Sequence, residues 1–112
     1  MLPIELGARE AGDCPVERAI AQIADKWKLQ ILLVLADQEM VRFRELQRLV
    51  HGVSQKVLTK ALRELEADGL VERTVYAEVP PRVEYRPTAR CADLLPILAQ
   101  LQVWATKQPA LV

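Results

Sequence analysis

Residues 42–69 read RFRELQRLVHGVSQKVLTKALRELEADG, and the spacing of their apolar side chains leaves few choices of fold. Phe43, Leu46, Leu49 and Val50 recur at helical spacing, and Gly52 follows as a stop signal. Ser54 is then placed to cap a second helix, on which Val57, Leu58, Ala61, Leu62 and Leu65 share one side. Gly69 suits the left-handed position that ends it. Two short amphipathic helices joined by a glycine-containing turn of about four residues form a helix-turn-helix pattern.

The flanking segments narrow the architecture further. In DCPVERAIAQIAD, Pro15 suits a first helical position, Asp13 or Cys14 would precede it as cap, and Val16, Ala19, Ile20 and Ile23 form a stripe. KWKLQILLVLAD carries Leu29, Ile31, Leu32, Leu33, Val34 and Leu35; apolar nearly all round, it predicts a buried central helix anchored by Trp27. MVRF is short and strand-like. LVERTVYAEVPPRVEYRP places Val71, Val75, Val83 and Tyr85 at period two on two runs, which predicts a β-hairpin with a projecting tip stiffened by Pro80 and Pro81. TARCADLLPILAQLQVWATKQ predicts a long helix capped by Thr88 and lined by Leu94, Ile97, Leu98, Leu101 and Trp104. Pro96 should kink that helix or restart it. The expected fold is mainly α with a small β-hairpin (α+β), a winged helix-turn-helix over residues 13–107. A flexible arm over 1–12 and a tail over 108–112 flank it. The last helix carries more apolar surface than one small domain needs, so self-association through it and the first helix is expected.

Composition excludes several classes. The chain has 112 residues, of which 51 % are hydrophobic, enough for one small core and against wholesale disorder. No run approaches the roughly 18 apolar residues of a membrane span, and no secretory leader is visible, so a cytoplasmic protein is expected. Two cysteines, Cys14 and Cys91, and one histidine, His51, fall short of the about four ligands of a zinc site. No metal or other cofactor is expected. Neither a nucleophile–base pair nor a phosphate loop is evident, which argues against an enzyme.

Formal net charge is zero, yet its distribution is uneven. Between Met40 and Arg63 stand six cations (Arg42, Arg44, Arg48, Lys56, Lys60 and Arg63) against one anion, Glu45; the remainder carries nine cations and fourteen anions. A phosphate backbone meets a local patch, not a chain total. With the leucine side of the second helix turned to the core, Gln55, Lys56, Thr59, Lys60 and Arg63 turn outward, and Ser54 and Gln55 lie at its N-terminus, which carries partial positive charge. Such side chains bond base edges and phosphates. Arg42 and Arg44 ahead of them, with Arg48, are candidates for backbone contacts, and Arg82, with Arg73 and Arg86, for wing contacts. The expected partner is a double-stranded DNA operator. The competing reading is a winged-helix module for protein contact, its basic segment facing an acidic partner.

CPVERAIAQIADKWKLQILLVL, RFRELQR, GVSQKVLTKALRELEADGLVERTVYAEVPPRVEYRPT and LLPILAQL, together and in this order, resemble the HxlR-type transcriptional regulators, winged helix-turn-helix proteins of the broader MarR-like group. The resemblance runs from about Cys14 to Trp104. It implies a homodimer on a pseudo-palindromic operator, with the first and last helices forming most of the interface. It also implies that Ser54, Gln55, Lys56, Thr59 and Lys60 lie on the recognition helix and Arg82 on the wing. Some members sense oxidants or electrophiles through a cysteine at the position of Cys14, so an oxidant or small-molecule effector is an expectation here. Cys91 and Pro87 stand where the family more often has glycine and an aliphatic residue, which leaves a Cys14–Cys91 pairing open.

Overall fold

Asp25 starts the central helix. Its carboxylate accepts the backbone N–H of Trp27 at 2.8 Å and of Lys28 at 3.1 Å, satisfying two donors that the first turn leaves free. The computed structural model describes residues 14–107; Asp13, the arm expected over 1–12 and the tail expected over 108–112 lie outside them. The described elements are α1 (Pro15–Ile23), α2 (Lys26–Gln38), β1 (Val41–Arg42), α3 (Phe43–Leu49), α4 (Gln55–Ala67), β2 (Val71–Tyr76), β3 (Arg82–Pro87) and α5 (Ala89–Thr106). That is the winged helix-turn-helix order, with β2 and β3 as the wing.

The two strands of the wing pair antiparallel with Arg73 opposite Tyr85 and Val75 opposite Val83. β1 joins the other side of β3, Val41 opposite Tyr85, so the sheet has three strands in the order β1-β3-β2. The sequence expectation gave β1 no partner. Pairing β1 with β3 anchors the chain just before α3 to the base of the wing, so the helix-turn-helix and the wing share one rigid support.

Ile31, Leu32, Leu35, Leu46, Val50, Leu58, Leu65 and Cys91 fill the centre of a single core. Fully burying a leucine or isoleucine contributes about 1.5–3 kcal/mol over leaving it in water, and this cluster holds α2, α3 and α4 together. Val53 also packs into the core, from inside the turn between α3 and α4. Gly52 beside it adopts φ +83°, a region that L side chains rarely enter.

Three expectations change, and a fourth, at Pro96, is narrowed. The central helix is not buried all round: Leu29 and Leu33 are exposed, because a core this size covers only one side of α2. Val57 is exposed at the start of α4 while Leu58, Ala61, Leu62 and Leu65 are buried. It sits on the first turn, ahead of the point where α4 meets the core. Val75 is exposed as well, since the wing extends past the core towards its tip. α5 passes through Pro96 without restarting. The proline removes one N–H, which would have met the carbonyl of Ala92, and both residues face solvent, where water can serve that carbonyl.

The end of α4 is locked to the start of α5. Leu70 N–H reaches Leu65 C=O at 2.9 Å and Gly69 N–H reaches Glu66 C=O at 3.0 Å, a Schellman closure with Gly69 at φ +75°. Thr88 Oγ1 donates to Gly69 C=O at 2.6 Å and accepts from Cys91 N–H at 3.1 Å, capping α5 against that closure. Arg90 adds two bonds, to Asp68 C=O at 2.6 Å and to Gln22 Oε1 at 2.9 Å, so one side chain ties α1, the end of α4 and α5.

Candidate nucleic-acid interface

The leucines of α4 decide which of its residues face outward. Leu58, Ala61, Leu62 and Leu65 are in the core, so Gln55, Lys56, Thr59, Lys60, Arg63 and Glu64 line one continuous outer surface. Gln55, Lys56, Lys60 and Arg63 are exposed, and Thr59 is half-buried. Ser54 is also exposed, as the N-cap: its Oγ accepts Val57 N–H at 3.1 Å and keeps its own O–H available. Thr59 is more committed. Its hydroxyl donates to Gln55 C=O at 2.7 Å, leaving lone pairs and a methyl group for any partner.

Among the described residues, no ion pair occupies Arg42, Arg44, Lys56, Lys60 or Arg63. Arg42 caps α3 from the end of β1, Arg44 lies on the first turn of α3, and both are exposed. Arg48 is different: Glu45 one turn back takes its guanidinium, with Nε 3.2 Å from Oε2. That hydrogen bond, and then the opposite charge, lowers the Glu45 pKa and raises that of Arg48. One cation of the basic segment is thereby neutralised locally.

The wing contributes on two faces. Arg73, opposite Tyr85, shares with Thr59, Leu62, Arg63 and Glu66 a cleft of about 210 Å³ between the wing and α4. Arg82, Glu84 and Arg86 alternate onto the other face, where Arg42 lies opposite Glu84. Arg82 is held there. Its guanidinium lies 4.1 Å from the centre of the Tyr76 ring, 3.3 Å from Glu78 Oε1 and 3.6 Å from Glu84 Oε2. Arg86 sits 2.8 Å from the other oxygen of Glu84, and the proximity of Tyr76 and of that carboxylate raises its pKa. Glu84 is itself only 5 % exposed. The sequence reading missed Glu78 and Glu84; the alternation along β3 brings Glu84 to Arg82 and Arg86, and the path of the loop brings Glu78 to Arg82.

The apolar surface left over lies elsewhere. Val16 and Ile20 on α1 and Ile97, Leu101, Val103 and Trp104 on α5 are exposed, although Leu98 is only 8 % exposed and belongs to the inner side of α5. Cys14 caps α1 without a side-chain hydrogen bond and is 7 % exposed. Cys91 is fully buried, and burial pushes its thiol pKa up. Both are free thiols, so the Cys14–Cys91 pairing left open by the sequence is not formed. Among the described residues, no helix is long and apolar enough to cross a membrane, and no group of three or more His, Cys, Asp or Glu side chains is placed to hold a metal.

Known proteins share this arrangement along most of its length. A sequence model of the HxlR-like helix-turn-helix family matches residues 22–110. The HTH-type transcriptional regulator BH0655 of Halalkalibacterium halodurans is 44 % identical over 95 residues, 85 % of this chain and 84 % of that protein. Among solved structures, a transcriptional regulator of Porphyromonas gingivalis assigned to the MarR family superposes with a TM-score of 0.80 at 32 % identity, covering 92 % of this chain and all of that one. The redox regulator HypR in its oxidised form superposes with a TM-score of 0.76 at 41 % identity, covering 88 % of this chain and all of HypR. The chain belongs to the HxlR-like helix-turn-helix family of transcriptional regulators.

Proposed function

We propose that this regulator acts as a homodimer that lays α4 of each protomer into the major groove of duplex DNA. The observation that carries the reading is the outer face of α4, where Gln55, Lys56, Thr59, Lys60 and Arg63 stand over a buried leucine row. A helix of this width fits the major groove, and amide and guanidinium groups bond base edges there. Ser54 at the helix start and Arg42 and Arg44 on the preceding elements supply backbone contacts, and Arg82 approaches from the wing. Exposed apolar residues on α1 and α5 support pairing through those helices, which a lone protomer would leave in water. Two-fold pairing would set half-sites about 34 Å apart, one helical turn of DNA.

Selection from a pool of randomised duplexes tests this reading. Wild-type protein is expected to enrich a two-fold symmetric sequence, and Lys56→Ala/Lys60→Ala to enrich none. A wild type that enriches nothing, while holding an acidic protein partner, favours the protein-contact reading instead.

Likeness to a redox regulator supports a second element, in which Cys14 answers an oxidant and lowers operator affinity. Cys14 is nearly enclosed, so the start of α1 has to open before a reagent reaches the sulfur. Diamide treatment of wild type and Cys14→Ser checks it: release of DNA from wild type alone supports the role, and equal responses end it.

A further inference from the structure

We infer that Glu78, in the wing between β2 and β3, is a built-in competitor for the DNA backbone: its carboxylate occupies Arg82, which a phosphate would otherwise engage. This rests on the DNA-binding reading and adds to it a residue that limits affinity. The observation is a cleft of about 570 Å³ between the wing and the start of α3. Three guanidinium groups line it, from Arg42, Arg44 and Arg82, over an apolar floor that includes Phe43 and Val83. One anion lines it too, Glu78.

The four side chains differ in what holds them. Among the described residues, Arg42 and Arg44 have no ion pair. Arg82 has its ring stack on Tyr76 and two carboxylates, Glu78 at 3.3 Å and Glu84 at 3.6 Å. The two carboxylates are not equivalent. Glu84 is buried beneath the arginines and also meets Arg86, so it is part of the wing's interior. The Glu78 carboxylate is half exposed at the open end of the cleft and meets only Arg82 among the described residues. A carboxylate and a phosphate offer an arginine the same pair of acceptor oxygens. An exposed ion pair of this kind contributes little to stability, so replacing Glu78 releases Arg82 to a phosphate at small cost to the fold. The Tyr76 ring, 4.1 Å away, still holds the guanidinium once the carboxylate is replaced.

Duplex titrations at several salt concentrations test the inference. Glu78→Gln is expected to bind duplex DNA about tenfold more tightly at low salt, with a log–log salt slope steeper by about one per protomer, the mark of one more neutralised phosphate. In an Arg82→Ala background the same substitution should gain little. Asp37→Asn, the same charge change on an exposed residue at the far end of α2, should also gain little. Unchanged affinity and slope in Glu78→Gln overturn the inference, as does an equal gain in the Arg82→Ala background or in Asp37→Asn, which would show a general effect of net charge. The DNA-binding reading is judged separately, by wild type against Lys56→Ala/Lys60→Ala. If wild type and Glu78→Gln both bind no duplex, both readings fall; if wild type binds and Glu78→Gln matches it, only the inference does.

Discussion

Lys28 Nζ lies 2.6 Å from Glu64 Oε2, so the one buried cation among the described residues is tied to the outer edge of α4. Lys28 is 9 % exposed in the first turn of α2, and its ammonium needs an anion there. The hydrogen bond from Lys28, then its charge, holds the Glu64 carboxyl below its ordinary value of 4.5. A carboxylate whose folded pKa is depressed adds stability that is complete above the unfolded pKa and disappears as pH falls through the folded one. Glu64→Gln is therefore expected to melt below wild type at neutral pH, with the gap closing as pH drops beneath about 4.5. Melting curves by circular dichroism between acid and neutral pH check this, and a gap that persists in acid would contradict it.

The turn between α3 and α4 depends on the backbone of Gly52 and not on room for its side chain. A Cβ added there would meet Trp27 Cη2 at 3.8 Å, an ordinary contact, whereas φ of +83° strains any L residue. Asparagine tolerates that region better than alanine, and a β-branched residue worst. Melting temperatures should fall in the order Gly52, Gly52→Asn, Gly52→Ala, Gly52→Val, with a loss of about 1–2 kcal/mol for alanine. A Gly52→Ala protein as stable as wild type would refute the account of the turn.

The proposed pairing surface and the core-facing side are separable on α5. Leu101 and Trp104 are 51 % and 60 % exposed, while Leu98 is nearly enclosed. If the proposed homodimer forms through α5, Leu101→Asp should leave the fold close to wild type in its melting curve and give monomer by sedimentation. Leu98→Asp should instead unfold the chain, because an unpaired carboxylate would enter the interior. A dimer unchanged by Leu101→Asp would remove α5 from the interface.

The two thiols should differ in reactivity. Cys91 has no exposure and a pKa raised by burial, and the thiolate is the reacting form. Iodoacetamide at neutral pH is expected to leave Cys91 unmodified in the folded protein and to label it once denaturant is added, read by peptide mass. Labelling of Cys91 at equal rates with and without denaturant would contradict its burial.

The sequence was most legible where local chemistry and burial agree. Ser54, Gly52, Gly69 and Thr88 occupy the cap and turn positions their residue types suggest, since each satisfies a local backbone demand. The outward set on α4 followed from its leucines in the same way. What stayed hidden depends on distant partners. Leu29, Leu33, Val57 and Val75 read as core, but apolar character alone does not say whether a second element arrives to cover a side chain. The pairing of β1 with β3 follows from strand register, which places residues far apart in the chain side by side, and the capture of Arg82 by Glu78 depends on the path of the loop between β2 and β3.

The central claim is that the cations of α4 meet a duplex. Its most direct test is the affinity of wild type and of Lys56→Ala/Lys60→Ala for one selected duplex, measured by fluorescence anisotropy from 50 to 200 mM salt. With both ammonium groups removed from each α4, binding should weaken at the lowest salt and the log–log salt slope should flatten by about two per protomer. Identical curves for the two proteins would mean that α4 does not face the DNA.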